Sequence, residues 1–323
     1  MTIIDRIDSI VDMPDDFRDV TPPCPPSLKI ELTARCNYAC AFCATATRLR
    51  DKKDMDRELF ERLLPELRQA GVKEIGLFYL GESFLLPWLE EAIAYAKHDV
   101  GFPYVFLTTN GSLATPRRVL KCIEAGLNSL KFSFNYTDAK QLREVAGVAE
   151  KNFDKVLDNI IGARGARDNV LRETGRRCNL AASHIAYDGV QGEKMQAAIS
   201  EISGFVDEVY ALPLYNQADL VGDEGERREW TVTGGNTGRL LNPVPPVPCW
   251  AVFREGHITY DGKLSACCFD HDGRFNMGDL TKMSFTDAWN SETFQTLRSR
   301  HLSGDVRGTV CEGCISYTGS VAP

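Results

Sequence analysis

Cys36, Cys40 and Cys43 form a C-x3-C-x2-C loop directly after a short apolar run, Leu28-Lys29-Ile30-Glu31-Leu32. Three thiolates can hold three irons of a [4Fe–4S] cube and leave the fourth iron open. An open iron can bind a small molecule and pass it an electron. Zinc is the rival ion, but structural zinc sites take four ligands, commonly two C-x2-C pairs. This loop has three cysteines and no histidine. The pattern therefore points to a redox catalyst.

A second group, Cys249, Cys267, Cys268, Cys311 and Cys314, lies near the other end of the chain. Disulfides are rare in reducing compartments, so clustered cysteines there point to metal or catalysis. Cys24, Cys122 and Cys178 are scattered and read as packing residues.

Elements of regular structure must position these groups. Leu28–Leu32, Ile75–Tyr79, Tyr104–Leu107, Ser129–Phe134, Asn179–Tyr187 and Val206–Ala211 read as buried strands. Between them run helical stripes: Leu59, Leu63, Leu64 and Leu67; Phe153, Val156, Leu157, Ile160 and Ile161; Met195, Ile199 and Ile202. Six strands alternating with helices imply an α/β fold with a parallel sheet and right-handed crossovers. Sites in such sheets gather at the C-terminal strand ends, where the first cysteine loop falls.

The pattern changes after residue 215. Asp219–Gly238 is polar, and Pro243, Pro245, Pro246 and Pro248 lead into Cys249. Gly256–Tyr260 and Lys263–Ala266 flank Asp261-Gly262, a hairpin signal, and Ser284–Ser299 reads as one helix. The expected organisation is an N-terminal extension (1–27), a core (28–215), a linker or flap (216–248) and a small cluster domain (249–323).

The 37 basic and 45 acidic residues give a net charge of −8 with no basic run, which argues against nucleic acid and anionic membrane as partners. No long apolar span or signal-peptide pattern is present, so a cytoplasmic protein is expected.

With these residues in hand, Cys36-Asn37-Tyr38-Ala39-Cys40-Ala41-Phe42-Cys43 resembles the cysteine loop of the radical S-adenosylmethionine (radical SAM) superfamily. The resemblance spans roughly Leu28 to Ala211. It implies a partial (β/α)6 TIM-like barrel. It also implies S-adenosylmethionine bound to the open iron, cleaved to a 5′-deoxyadenosyl radical that takes a hydrogen atom from the substrate. Leu80-Gly81-Glu82 is similar to the family's Gly-Gly-Glu motif, with leucine for the first glycine, and implies that Gly81 and Glu82 meet the amino group of S-adenosylmethionine. Thr108-Thr109-Asn110-Gly111 resembles the Thr-Asn-Gly turn. Ser133 and Asn135 resemble polar residues that reach the ribose or carboxylate, and Phe42 would lie beside the adenine.

The C-terminal pattern is similar to the SPASM/Twitch auxiliary-cluster domain: Cys249, hairpin Gly262, Cys267, a helix, then Cys311-Glu312-Gly313-Cys314. No cysteine follows Cys314, which resembles the shorter Twitch form, a β-hairpin plus helix. That form carries one auxiliary [4Fe–4S] cluster, here ligated by Cys249, Cys267, Cys311 and Cys314. The same four cysteines alone would also suit structural zinc.

Cys268 remains. Adjacent strand residues point to opposite faces, so it is a hydrogen-atom donor, an alternative ligand or a buried apolar residue. Asp270-His271-Asp272 beside it reads as a proton shuttle or a hydrated turn. The resemblance extends to radical SAM dehydrogenases and epimerases of aminoglycoside biosynthesis. It implies oxidation or epimerisation of a sugar, aminocyclitol or aminoglycoside, with a reductant such as flavodoxin or ferredoxin. Modification of a ribosomally made peptide is the alternative; only about 27 residues precede the first strand, too few for a peptide-recognition domain. A non-catalytic iron–sulfur carrier would need neither Glu82 nor a six-stranded core.

Overall fold

The structure is a computed structural model that describes residues 2–44, 50–187, 189–212, 217 and 248–314. The expected linker or flap therefore lies almost wholly outside the described residues, as does the end of the cluster domain.

Six parallel strands form the core: β1 Ser27–Ile30, β2 Glu74–Gly76, β3 Tyr104–Thr109, β4 Ser129–Ser133, β5 Asn179–Ile185 and β6 Glu208–Leu212. They pair in sequential order. Each is followed or preceded by helical crossovers, chiefly α2 Arg57–Ala70, α3 Leu89–Ala94, α4 Pro116–Glu124, α5 Ala139–Ala146, α6 Asn152–Thr174 and α7 Gly189–Ile202. This is the parallel α/β sheet that the alternation predicts, in the partial-barrel form that the family resemblance implies. Leu28, Ile30, Ile75, Val105, Leu107, Leu130, Phe132 and Leu180 face the helices and are buried. The alternate residues, Lys29, Gly76, Phe106, Ser129 and Lys131, face the barrel interior.

Local sequence explains the helix ends. Asp56 caps α2 by accepting from Leu59 N at 3.0 Å, and Gly71 ends it at φ 113°. The α2 stripe is Phe60, Leu63, Leu64 and Leu67; Leu59, expected in it, is only half-buried. In α6, Val156 and Ile160 are buried, but Ile161 is 44% exposed. The second strand is shorter than expected and stops at Gly76, where a Cβ would come within 2.8 Å of the Phe106 ring.

The N-terminal extension contains a helix, α1 Ile3–Val11, capped by Thr2. Its first amides, Ile3 N and Ile4 N, donate to the Glu208 carboxylate at 2.8 and 3.0 Å. A carboxylate at a helix N-terminus meets unsatisfied donors and the positive end of the dipole. Arg6 pairs with Glu74 at 2.9 Å, so α1 joins β6 to β2 at the N-terminal mouth of the barrel.

The C-terminal hairpin does not form a sheet of its own. Strand β7 (Glu255–Ile258) pairs parallel with β1, and β8 (Lys263–Ser265) and β9 (Asn276–Asp279) continue antiparallel from it. The result is one nine-stranded sheet, β6-β5-β4-β3-β2-β1-β7-β8-β9. Gly262 closes the hairpin at φ 78°, as its Asp-Gly signal implies.

The single helix expected over Ser284–Ser299 is two, α9 Phe285–Trp289 and α10 Glu292–Leu302 (a short α8, Ala251–Arg254, precedes β7). Ser291 causes the break: its hydroxyl accepts from Phe294 N at 3.3 Å and donates to Met277 O at 2.7 Å. Among the described residues, no helix is long and apolar enough to cross a membrane.

Candidate active site

The C-terminal ends of β1 to β4 open onto one cavity of 290 Å³, lined by Cys36, Cys40, Cys43, Gly81, Glu82, Asn110, Ser133 and Cys268. Most of the residues that the sequence singles out therefore come together. Phe42 and Asn135 do not line this cavity. Phe42 packs on Tyr136 with ring centroids 6.3 Å apart, and Asn135 accepts a hydrogen bond from the Tyr187 hydroxyl through its carbonyl.

The loops are held by specific contacts. Gly81 is glycine because a Cβ there would lie 2.1 Å from Thr33 O and 2.6 Å from Arg35 O. The next amide, Glu82 N, donates to Arg35 O at 2.8 Å, so the β2 loop is docked on the backbone leading into Cys36. The Glu82 side chain is buried and accepts from Thr109 Oγ1 at 2.8 Å, Asn110 N at 2.7 Å and Phe84 N at 3.1 Å. Burial nevertheless raises its pKa above the ordinary value. Asn110 bridges the same loops, with Nδ2 donating to Asn37 Oδ1 at 2.9 Å and Oδ1 accepting from Ser112 N at 3.0 Å.

Tyr136, which sequence reasoning missed, packs beside the cysteines. Its hydroxyl lies 3.0 Å from Cys40 Sγ, and it forms a small apolar cluster with Tyr38, Leu142, Val145 and Ala146. Nothing in its spacing, 96 positions from Cys40, announced the contact.

The second cysteine group lies across the sheet extension. Cys249 precedes α8, Cys267 follows β8, and Cys311 and Cys314 share a tight turn, with Cys314 N donating to Cys311 O at 3.1 Å. Cys249 and Cys267 each feel the charges of Cys311 and Cys314. Cys268 lines the cavity and also hydrogen-bonds the Cys267 thiol and acts on Cys249, so it stands between the two groups. Tyr79 connects the two regions: it lines the cavity and donates through its hydroxyl to Cys267 O. Asp270 and His271 are buried, Asp270 accepting from Phe275 N at 3.2 Å, so they are not a hydrated turn.

The donor sets, thiols in groups of three and four, suit iron–sulfur clusters by their chemistry. One zinc gathers its sulfurs within ~2.3 Å of a point. A multi-iron cube takes its thiolates from a wider ring. Burial pushes Cys311 up to about 12 and raises Cys40 and Cys249 as well. Burial disfavours a bare thiolate at these positions, and a bound cation would offset that cost.

Residues 30–174 match the family described as the Radical SAM superfamily, and residues 249–315 match an iron–sulfur cluster-binding domain, SPASM. A GTP 3′,8-cyclase of Synechococcus sp. is 34% identical over 151 residues, which is 44% of this chain and 43% of that protein. A probable GTP 3′,8-cyclase of Methanopyrus kandleri is 26% identical over 303 residues, covering 88% of this chain and 96% of that protein.

Among solved structures, BtrN in complex with AdoMet and 2-DOIA superposes with a TM-score of 0.58 at 18% identity, covering 90% of this chain and 92% of BtrN. Streptococcus suis SuiB bound to precursor peptide SuiA gives 0.63 at 16%, covering 91% and 70%. At such identities the likeness is one of fold. These curated relatives are named as cyclases, not as the dehydrogenases or epimerases that the sequence resemblance suggested. The two domains imply S-adenosylmethionine, a [4Fe–4S] cluster and an auxiliary iron–sulfur cluster. The chain thus carries a segment that matches the Radical SAM superfamily, followed by one that matches the iron–sulfur cluster-binding SPASM domain.

Proposed function

We propose that the enzyme inverts a carbon centre of a carbohydrate or aminocyclitol, with Cys268 returning the hydrogen atom. In this reading Cys36, Cys40 and Cys43 hold the [4Fe–4S] cluster, and Gly81, Glu82, Asn110 and Ser133 surround S-adenosylmethionine. Cys249, Cys267, Cys311 and Cys314 would hold the auxiliary cluster, an electron relay. When bound, S-adenosylmethionine on the reduced cluster supplies the radical that takes a hydrogen atom from the substrate carbon. Cys268 then breaks its S–H bond, a C–H bond forms on the opposite face, and the sulfur is left as a thiyl. One electron from an external low-potential carrier such as flavodoxin or ferredoxin, with one solvent proton, restores the thiol.

The observation that supports this reading is the side chain of Cys268, which lines the same cavity as Cys36, Cys40, Cys43 and Glu82. A hydrogen donor must face the substrate.

The test is turnover in deuterated water. Epimerisation leaves one solvent deuterium on the inverted carbon, and Cys268→Ala forms 5′-deoxyadenosine without completing inversion. A product two mass units lighter than substrate, with normal turnover in Cys268→Ala, would establish oxidation instead and overturn the donor role.

A further inference from the structure

Below the cysteine-lined cavity, towards the N-terminal ends of the strands, the barrel encloses a second cavity of 180 Å³. Phe78 and Thr108 line both, so the two adjoin. The lower cavity has a cationic wall: Lys29 from β1, Lys131 from β4 and Arg6 from α1, against Glu255 as the lining carboxylate.

Two of these cations are already paired. Lys29 Nζ lies 2.8 Å from Glu255 Oε2, and Arg6 lies 2.9 Å from Glu74. Glu255 is shared further with His257 at 3.1 Å. Lys131 makes no ion pair among the described residues; the Tyr210 ring lies 5.8 Å from its Nζ, and Glu255 acts on it only at longer range. Burial, with Lys29 and Arg6 alongside, pushes Lys131 down to about 7. An enclosed ammonium beside two other cations is costly unless an anion completes the site. Both Lys29 and Lys131 are within electrostatic reach of Cys268.

We propose that this cavity receives an oxyanion of the substrate, a carboxylate or a phosphate ester, with Lys131 as its chief contact and Lys29 beside it. The substrate is then an acidic carbohydrate, not a cationic aminoglycoside. This deepens the reading of the upper cavity as the active site and rests on it. The lysines would anchor one end of the substrate while the carbon to be attacked lies above, level with Cys268. Lysine suits this task as a compact point charge on a flexible stem.

The test is isothermal titration of the reconstituted full-length protein with inorganic phosphate and, separately, with acetate. At least one anion should bind saturably at one site per chain. Lys131→Met should weaken it by roughly tenfold or more, the worth of one charge-assisted hydrogen bond, and Lys131→Arg should largely retain it. Binding of phosphate alone identifies a phosphate ester, and of acetate alone a carboxylate. Lys131→Gln serves the same purpose if the methionine variant does not fold. No saturable binding of either anion, or equal binding by the methionine or glutamine variant, overturns the proposal. Because the readout is binding, its failure leaves the hydrogen-donor role of Cys268 untouched, and loss of that role leaves the anion result standing.

Discussion

Replacing Gly81 by alanine should separate the two loops that form the upper cavity. The new Cβ would stand 2.1 Å from Thr33 O, whereas side-chain Cβ atoms essentially never come under 3.0 Å. The backbone at Thr33 must therefore retreat by about 0.9 Å, the difference between those two values. Arg35 O, 2.6 Å from the new Cβ, must retreat by about 0.4 Å, which would stretch its bond from Glu82 N, now 2.8 Å, to the weak end of the range. Overpacking a tight contact costs about 1–3 kcal/mol, and a buried amide left without an acceptor about 1–3 kcal/mol more. The sum, about 2–6 kcal/mol, lowers Tm by roughly 3 °C or more in a chain of this size.

The assay is thermal denaturation followed by circular dichroism, with bound iron measured after reconstitution, since Thr33 and Arg35 lead directly into Cys36. Gly165 provides an internal control. It sits within α6, and a Cβ there meets nothing within 4 Å, so Gly165→Ala should stabilise the protein by about 0.5–1 kcal/mol. If Gly81→Ala melts within a degree of the parent and binds iron equally well, the docking of the β2 loop on the cysteine loop is not what holds the site.

Three further outcomes are expected. Tyr136→Phe keeps the ring but removes the hydroxyl 3.0 Å from Cys40 Sγ; with Cys40 ligating the cluster, its reduction potential should fall, because hydrogen bonds to cluster sulfurs stabilise the reduced state, as an EPR-monitored redox titration would report. Cys249→Ala should reduce bound iron from about eight to about four atoms per chain while 5′-deoxyadenosine formation persists; a full iron complement would remove Cys249 from the ligand set. Oxyanion binding at pH 8 should take up a proton, because Lys131, held near 7, is mostly neutral there and an adjacent anion raises it. Lys29, Arg6, Glu255, His257, Tyr210 and Cys268 are the other ionisable groups around it, and Lys131→Met should abolish the buffer-dependent part of the binding enthalpy.

The sequence by itself was most informative where structure is local. The spacing of Cys36, Cys40 and Cys43 confines three thiols to one loop whatever the rest of the chain does. The alternation of buried strands with stripes such as Met195, Ile199 and Ile202, all buried in α7, was enough to predict a parallel α/β sheet. Asp261-Gly262 marked its hairpin for the same reason: a turn is decided by its own residues. Less was legible where a local rule competes with a distant contact. Ser291 ends α9 because Met277 O is there to receive its hydroxyl, and Ile161 continues a helical stripe that the barrel leaves in solvent.

Only tertiary structure decided what faces what. Strand β7 joins β1 across more than 220 positions of sequence, Ser27 opposite Glu255, and that pairing brings the second cysteine group beside the first. Cys268 lines the cavity with the first group, while its thiol also hydrogen-bonds that of Cys267, which feels the charges of Cys311 and Cys314. Lys29 and Lys131 each look like an unremarkable polar interruption of a strand; strand register turns both into one barrel interior, where their charges meet. Sequence spacing fixes which donors share a loop, but side-chain direction depends on strand pairing, and pairing is a property of the whole sheet.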